Sequence, residues 1–126
     1  MLLSCGSSKE TMQATTPLYN TKWSLKKIYT GNVTQTVETK AFIRFDKEKG
    51  SAGGSGSCNN FGSTLTINGN EVSFKNIFST KMYCEAVQKI ENDFLKRLGN
   101  ANRFEVKDKA LFLYHDKNTL LEFLAE

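Results

Sequence analysis

One proline and one histidine stand in 126 residues, and several patterns that announce a function are missing. No apolar stretch approaches the ~20 residues that a membrane-spanning helix needs. Lys and Arg outnumber Asp and Glu by 17 to 13, a net +4, but no basic run is longer than a pair such as Lys26-Lys27. Nucleic-acid recognition calls for a concentrated basic patch, often interleaved with aromatics, so no nucleic-acid partner is expected. His115 is the only histidine. With two cysteines it falls short of the usual four zinc ligands, and the spacing matches no common structural site. A Cys–His or Ser–His–Asp hydrolase would have to use His115, yet no nucleophile elbow is present. The Gly-rich run from Gly50 to Ser57 lacks the closing Lys-Ser/Thr of a phosphate loop and leads into a strand pattern rather than a helix. No metal and no cofactor are expected.

What is present describes one small folded domain. The hydrophobic fraction is 39%, with nine Phe, four Tyr and one Trp, enough for a core of this size. Residues 1–20 hold the only proline, Pro17, and many Ser, Thr, Gln and Lys without periodicity, so they read as a flexible tether. The domain is expected over residues 21–126. Trp23 and Leu25 alternate with polar neighbours as a first strand would. Val33 to Lys40 reads as a polar connection. Ala41, Ile43 and Phe45 then face one way and Arg44 and Asp46 the other, as in a half-buried strand. The four glycines from Gly50 to Gly56 point to bends that let a small sheet curl. Leu65 and Ile67, then Asn68-Gly69-Asn70, then Val72 and Phe74 form the clearest hairpin signal.

The period changes after Cys84. Val87, Ile90, Phe94 and Leu98 recur at spacings of three and four, which predicts an amphipathic helix near Tyr83 to Leu98 with Gly99-Asn100 as its stop. Period two returns in Phe104 and Val106, Leu111 and Leu113, and Leu121 and Phe123. Asp108-Lys109 and His115 to Asn118 supply the turns. Strands, one helix, then three strands define an α+β domain. Its expected form is an antiparallel curved sheet, or partly closed β-barrel, packed on one main α-helix.

The opening Leu2-Leu3-Ser4-Cys5-Gly6 resembles the end of a bacterial lipoprotein signal, in which the cysteine is lipidated. The charged and long apolar parts of such a signal do not precede it. Diacylated Cys5 would anchor the protein to a membrane without a spanning helix. If Cys5 carries lipid, Cys58 and Cys84 remain as a pair, and disulfides persist in oxidising compartments. A structural Cys58–Cys84 bond and two buried free thiols both fit the sequence.

Gly53, Gly56, Cys58, Asn59 and Phe61 form a Gly-rich approach to a Cys-Asn pair with an aromatic after it. Thr80, Lys81, Met82 and Cys84 follow the pattern Thr-(Lys/Arg)-Met-x-Cys. Glu91, Phe94 and Leu98 stand on the helix, Trp23 and Leu25 open the domain, and Leu121 and Phe123 close it. In this order the elements resemble the META domain family of HslJ-type heat-shock proteins, over roughly residues 21–125. Ser57 departs from the family's usual glycine, and Tyr83 from its usual small residue.

The resemblance implies a non-enzymatic, lipid-anchored protein of the bacterial cell envelope, stress-related or accessory. It would bind an envelope protein or an apolar ligand, the latter through a groove like that of a lipid-binding secretion pilot with a similar fold. A monomer is expected. Asn59, Asn60, Phe61, Thr80, Lys81 and Met82 are the candidate binding surface, although Asn also serves turns structurally. The alternative is a protease inhibitor or an enzyme using Cys58, Cys84 or His115.

Overall fold

The computed structural model describes residues 16–126. Among them, nine strands and one helix follow in the order β1 (Trp23–Thr30), β2 (Val33–Thr36), β3 (Phe42–Asp46), β4 (Ser51–Ser55), β5 (Asn60–Asn68), β6 (Glu71–Ser79), α1 (Gln88–Asn100), β7 (Arg103–Lys107), β8 (Ala110–His115) and β9 (Asn118–Ala125). Every paired neighbour is antiparallel, and β1 also pairs with β9, so β1 and β3 to β9 close into a ring. Closure removes the free edges that an open sheet would present. Only β2 stands outside the ring, paired with the second half of β1.

Inward alternation builds the interior. Ala41, Ile43 and Phe45 are buried, as are Leu65, Val72 and Phe74, Leu111 and Leu113, and Leu121 and Phe123. The seam between β6 and β7 is the thin place. It holds one register pair, Glu71 opposite Arg103, flanked by the bonds Val72 N–H to Asn102 O (3.1 Å) and Phe104 N–H to Asn70 O (2.9 Å). Helix α1 connects these two strands and packs on β6 and β9. Its Phe94 and Leu98 are fully buried. The Phe94 ring meets Phe61 edge-on at 5.5 Å and Phe123 at 5.9 Å, so the helical stripe completes the core.

Several elements differ from the sequence-based expectation. The segment from Val33 to Thr36 is a strand rather than a connection; all four residues are exposed, so no apolar alternation marks it. The helix begins at Gln88, after a turn in which Val87 N–H bonds to Cys84 O at 3.1 Å. Gly99 and Asn100 lie inside it, and Ala101 is the C-cap. Gly53 and Gly54 sit in regular pairing on both sides of β4, without a bulge. The register shifts fall elsewhere, between Leu25 and Lys27, between Gly62 and Thr64, and between Leu113 and Tyr114.

Gly54 is required for close approach, because a Cβ there would collide with the carbonyl oxygen of Phe42 in the neighbouring strand. Backbone cannot yield as a side chain does. Gly54→Ala is therefore expected to destabilise the domain by about 1–3 kcal/mol in urea denaturation. The three atoms nearest a Cβ at Gly62 all belong to the ring of the exposed Phe78, which can swing away, so Gly62→Ala should cost less.

The expected tether covered residues 1–20. Residues 1–15, including Cys5, lie outside the described residues, but the packed domain reaches back to Thr16. Thr16 N–H bonds to Asp108 O, Asn20 N–H bonds to Phe45 O, and the Trp23 indole donates to Leu18 O at 3.0 Å. Leu18 and Tyr19 pack against the core.

At the far end of the helix, Arg97 donates to Tyr29 O (2.9 Å) and Thr30 Oγ1 (2.8 Å), tying α1 to β1. The Tyr29 hydroxyl donates to Glu122 at 2.8 Å. Burial first, then this hydrogen bond and the Glu122 charge, push its pKa from 10.0 to about 12. A raised tyrosine pKa favours the folded state only while the phenol stays protonated. Its contribution is whole below pH 10 and is lost as pH rises from there through about 12. Denaturation at a series of alkaline pH values should show that decline in the native chain and a smaller one in Tyr29→Phe.

Candidate functional site

The Cys-Asn and Thr-Lys-Met-x-Cys elements of the family pattern gather with Glu91 where β4 ends, β5 begins and α1 starts. After Ser55 the chain turns tightly, with Gly56 N–H bonding to Asn59 O at 2.8 Å and Ser57 at a positive φ of 99°. This places Asn59, 3% exposed, facing inward. Its Oδ1 accepts from Thr80 Oγ1 (2.7 Å) and Met82 N–H (2.8 Å). Its Nδ2 donates to Met82 O (3.0 Å) and Glu91 Oε2 (2.7 Å). The amide orientation is fixed chemically: a backbone N–H can only donate, and an ionised carboxylate can only accept.

Glu91 completes the cluster from the first turn of α1. Only 2% exposed, it accepts through Oε1 from Cys58 N–H (3.0 Å) and Asn59 N–H (2.7 Å), in addition to the bond to Oε2. No cation pairs with it among the described residues. Burying a charge this deeply is costly unless hydrogen bonds replace its water, and three N–H donors do so here. Gly56 leaves room for the carboxylate, since a Cβ there would lie 2.7 Å from Glu91 Cγ and Oε1. Cys58 and Cys84 are joined by a disulfide, Cα to Cα 5.9 Å. Bond, amide and carboxylate together fasten the β4–β5 turn, the Thr80–Cys84 segment and the helix start.

The sequence-based surface therefore divides. Asn59 and Phe61 are buried, at 3% and 6% exposure, and do not belong to a binding face. Asn60, Thr80, Lys81 and Met82 are exposed. Next to them Tyr83, which sequence reasoning left out, is 73% exposed, and Met82 is 61% exposed. An open hollow of about 400 Å³ lies between this segment and α1, lined in part by Thr80, Met82, Tyr83, Gln88 and Leu95. In the sequence Glu91 stands out only as a family match on the helix. Its spacing from Val87 (four) and Phe94 (three) sets it on the buried stripe, the signal that its carboxylate turns inward.

His115 lies elsewhere. It is the last residue of β8, paired with Asn118 across a turn formed by Asp116 and Lys117 rather than lying in that turn. It is exposed, with Nδ1 2.9 Å from Asn100 O at the C-terminal end of the helix. The 13 residues of α1, roughly 20 Å of helix, separate that end from the cysteines. The structure does not bring His115 together with Cys58 and Cys84. Among the described residues no group of three or more His, Cys, Asp or Glu could hold a metal ion.

A closed ring of antiparallel strands packed on one helix, with a Cys-Asn turn clasped to that helix, defines the class of domain. The model of the META domain matches residues 16–126, and the chain belongs to that family. The fold is similar to that of a protein from Burkholderia xenovorans solved by NMR, with TM-score 0.73 and 21% identity over 86% of this chain and 83% of that one. It is also similar to the crystal structure of a DUF4847 family protein from Bacteroides vulgatus, with TM-score 0.61 and 18% identity over 85% and 93% of the two chains. Among curated proteins none matches the chain.

Proposed function

We propose that this META domain is a non-enzymatic accessory module of the bacterial cell envelope, anchored through lipidated Cys5, that presents Met82 and Tyr83 to a protein partner. One observation carries the reading. The buried polar groups of the clasp spend their hydrogen bonds on one another, while the segment they immobilise exposes a methionine and a tyrosine. A segment already ordered loses little further entropy on binding. Tyrosine and methionine are enriched at protein interfaces, and tyrosine is a frequent hot spot. Two protruding side chains beside Lys81 suit insertion into a partner's apolar cleft better than enclosure of a small ligand.

The test is site-specific photo-crosslinking in the intact envelope. A photoreactive residue at Tyr83 should capture one dominant protein, and Met82→Ser in the same chain should abolish that product. The same probe at Lys117, in the β8–β9 turn, should not capture it. Equal capture from both positions, or capture unaffected by Met82→Ser, would contradict the proposal.

A further inference from the structure

Part of the chain's positive charge, dispersed in sequence, gathers in space. Across the outer face, Leu124 of β9, Ser24 of β1, Phe42 of β3 and Ser55 of β4 stand in register. A cup of about 440 Å³ opens over this row, walled by Lys22, Lys26 and Lys40. Lys22 Nζ lies 4.7 Å from the centre of the Phe42 ring, and the Arg44 guanidinium stands over the same ring at 5.8 Å. Among the described residues Lys26, Lys40 and Arg44 form no ion pair.

One anion already occupies an edge of the cup. The Glu126 carboxylate accepts from the Ser24 hydroxyl and lies 3.9 Å from Lys22 Nζ. The Ser24 hydrogen bond holds this carboxyl below its ordinary value; desolvation opposes it, and Lys22 and Lys26 add smaller pulls in the same downward direction. The Glu126 side chain is 49% exposed, so it can leave without opening the core.

We infer that this cup binds a phosphate-bearing anion, the phosphate replacing the Glu126 carboxylate on Ser24 Oγ and beside Lys22, with Lys26 and Lys40 supplying the remaining positive charge. Hydroxyl and ammonium donors over a ring suit a compact polyoxyanion on an organic group. The cup holds one aromatic ring, Phe42, already engaged by Lys22 and Arg44, whereas single-stranded nucleic acid calls for a succession of stacking platforms. The site lies apart from the Met82–Tyr83 segment, and its test is independent of that proposal.

Two sources share this chemistry: an anionic lipid headgroup and a soluble phosphate ester. They are distinguished by co-sedimentation with phosphatidylcholine vesicles, with and without phosphatidylglycerol, and by amide-shift titration with glycerol phosphate. Binding dependent on phosphatidylglycerol assigns the headgroup; glycerol phosphate shifts centred on Ser24 and Lys26 assign the soluble ester. Either supports the site. Replacing Lys22, Lys26 and Lys40 by Gln should weaken binding on the order of a hundredfold. The charge-matched control, Lys75, Lys96 and Lys117 to Gln, should retain most of it. Glu126→Gln removes the resident competitor and should tighten binding severalfold. Absence of binding from both sources, equal loss in the control, no tightening in Glu126→Gln, or preference for an oligonucleotide over both probes would each overturn the inference.

Discussion

Glu91→Ala is expected to lower the unfolding free energy by about 3 kcal/mol, a large share of the stability of a domain this size. The substitution strands the N–H groups of Cys58 and Asn59 and one donor of the Asn59 amide. Each buried donor left unsatisfied costs about 1–3 kcal/mol, partly offset because a charge no longer has to be buried. Glu91→Gln separates shape from chemistry. Its oxygen can still serve the two backbone N–H groups, but its amide nitrogen then faces Asn59 Nδ2, donor against donor. Rotating Asn59 to relieve this would set its amide nitrogen against Met82 N–H and its oxygen against Met82 O, and of its present partners there only the Thr80 hydroxyl could adapt. Glu91→Gln should therefore still cost about 1–2 kcal/mol. Urea denaturation of both variants checks the order. Equal stability of native chain and Glu91→Gln would mean that the donors find other partners.

Replacing Cys58 and Cys84 together by Ala should cost about 3.5 kcal/mol, the chain-entropy value for a bond spanning 26 residues. Under non-reducing conditions the intact mass of the native chain should also lie two hydrogen atoms below that of the reduced form. The cysteine and Glu91 changes act on the same turn, so their effects should not add. Once the disulfide is absent, Glu91→Ala should cost measurably less than in the native chain. Full additivity would mean that bond and carboxylate stabilise the domain separately.

Much of the architecture was legible because burial imposes a period. Ala41, Ile43 and Phe45, the Leu65–Phe74 hairpin and the stripe of Phe94 and Leu98 each bury one face, and the sequence alternates accordingly. β2 escaped notice because neither of its faces is buried. Ring closure through β1 and β9 joins residues about a hundred positions apart, such as Trp23 and Ala125, and no local signal encodes such a pairing. The helix start was displaced because Cys84 is held by Cys58 and the following turn rather than by helical hydrogen bonds. The basic cup was invisible for a related reason: strand pairing brings Lys22, Lys26 and Lys40 together, while the chain itself shows no run.

At the site, residue types were more informative than their roles. Cys58, Asn59 and Cys84 were singled out, but asparagine serves turns and surfaces alike, and only burial distinguishes the two. Asn59 is a structural hub; exposure passes to Met82 and Tyr83, whose side chains the clasp leaves outside. Beside the family match, a charged residue on the apolar stripe of a helix was the one available sign of Glu91.

The clasp itself is most directly tested by native-state amide hydrogen exchange at Cys58, Asn59 and Met82. Their N–H groups donate to Glu91, Glu91 and Asn59 respectively. All three should be protected in the native chain and lose protection together in Glu91→Ala, while the β8–β9 amides keep theirs. Exchange of these amides at the free-chain rate in the native protein would contradict the account.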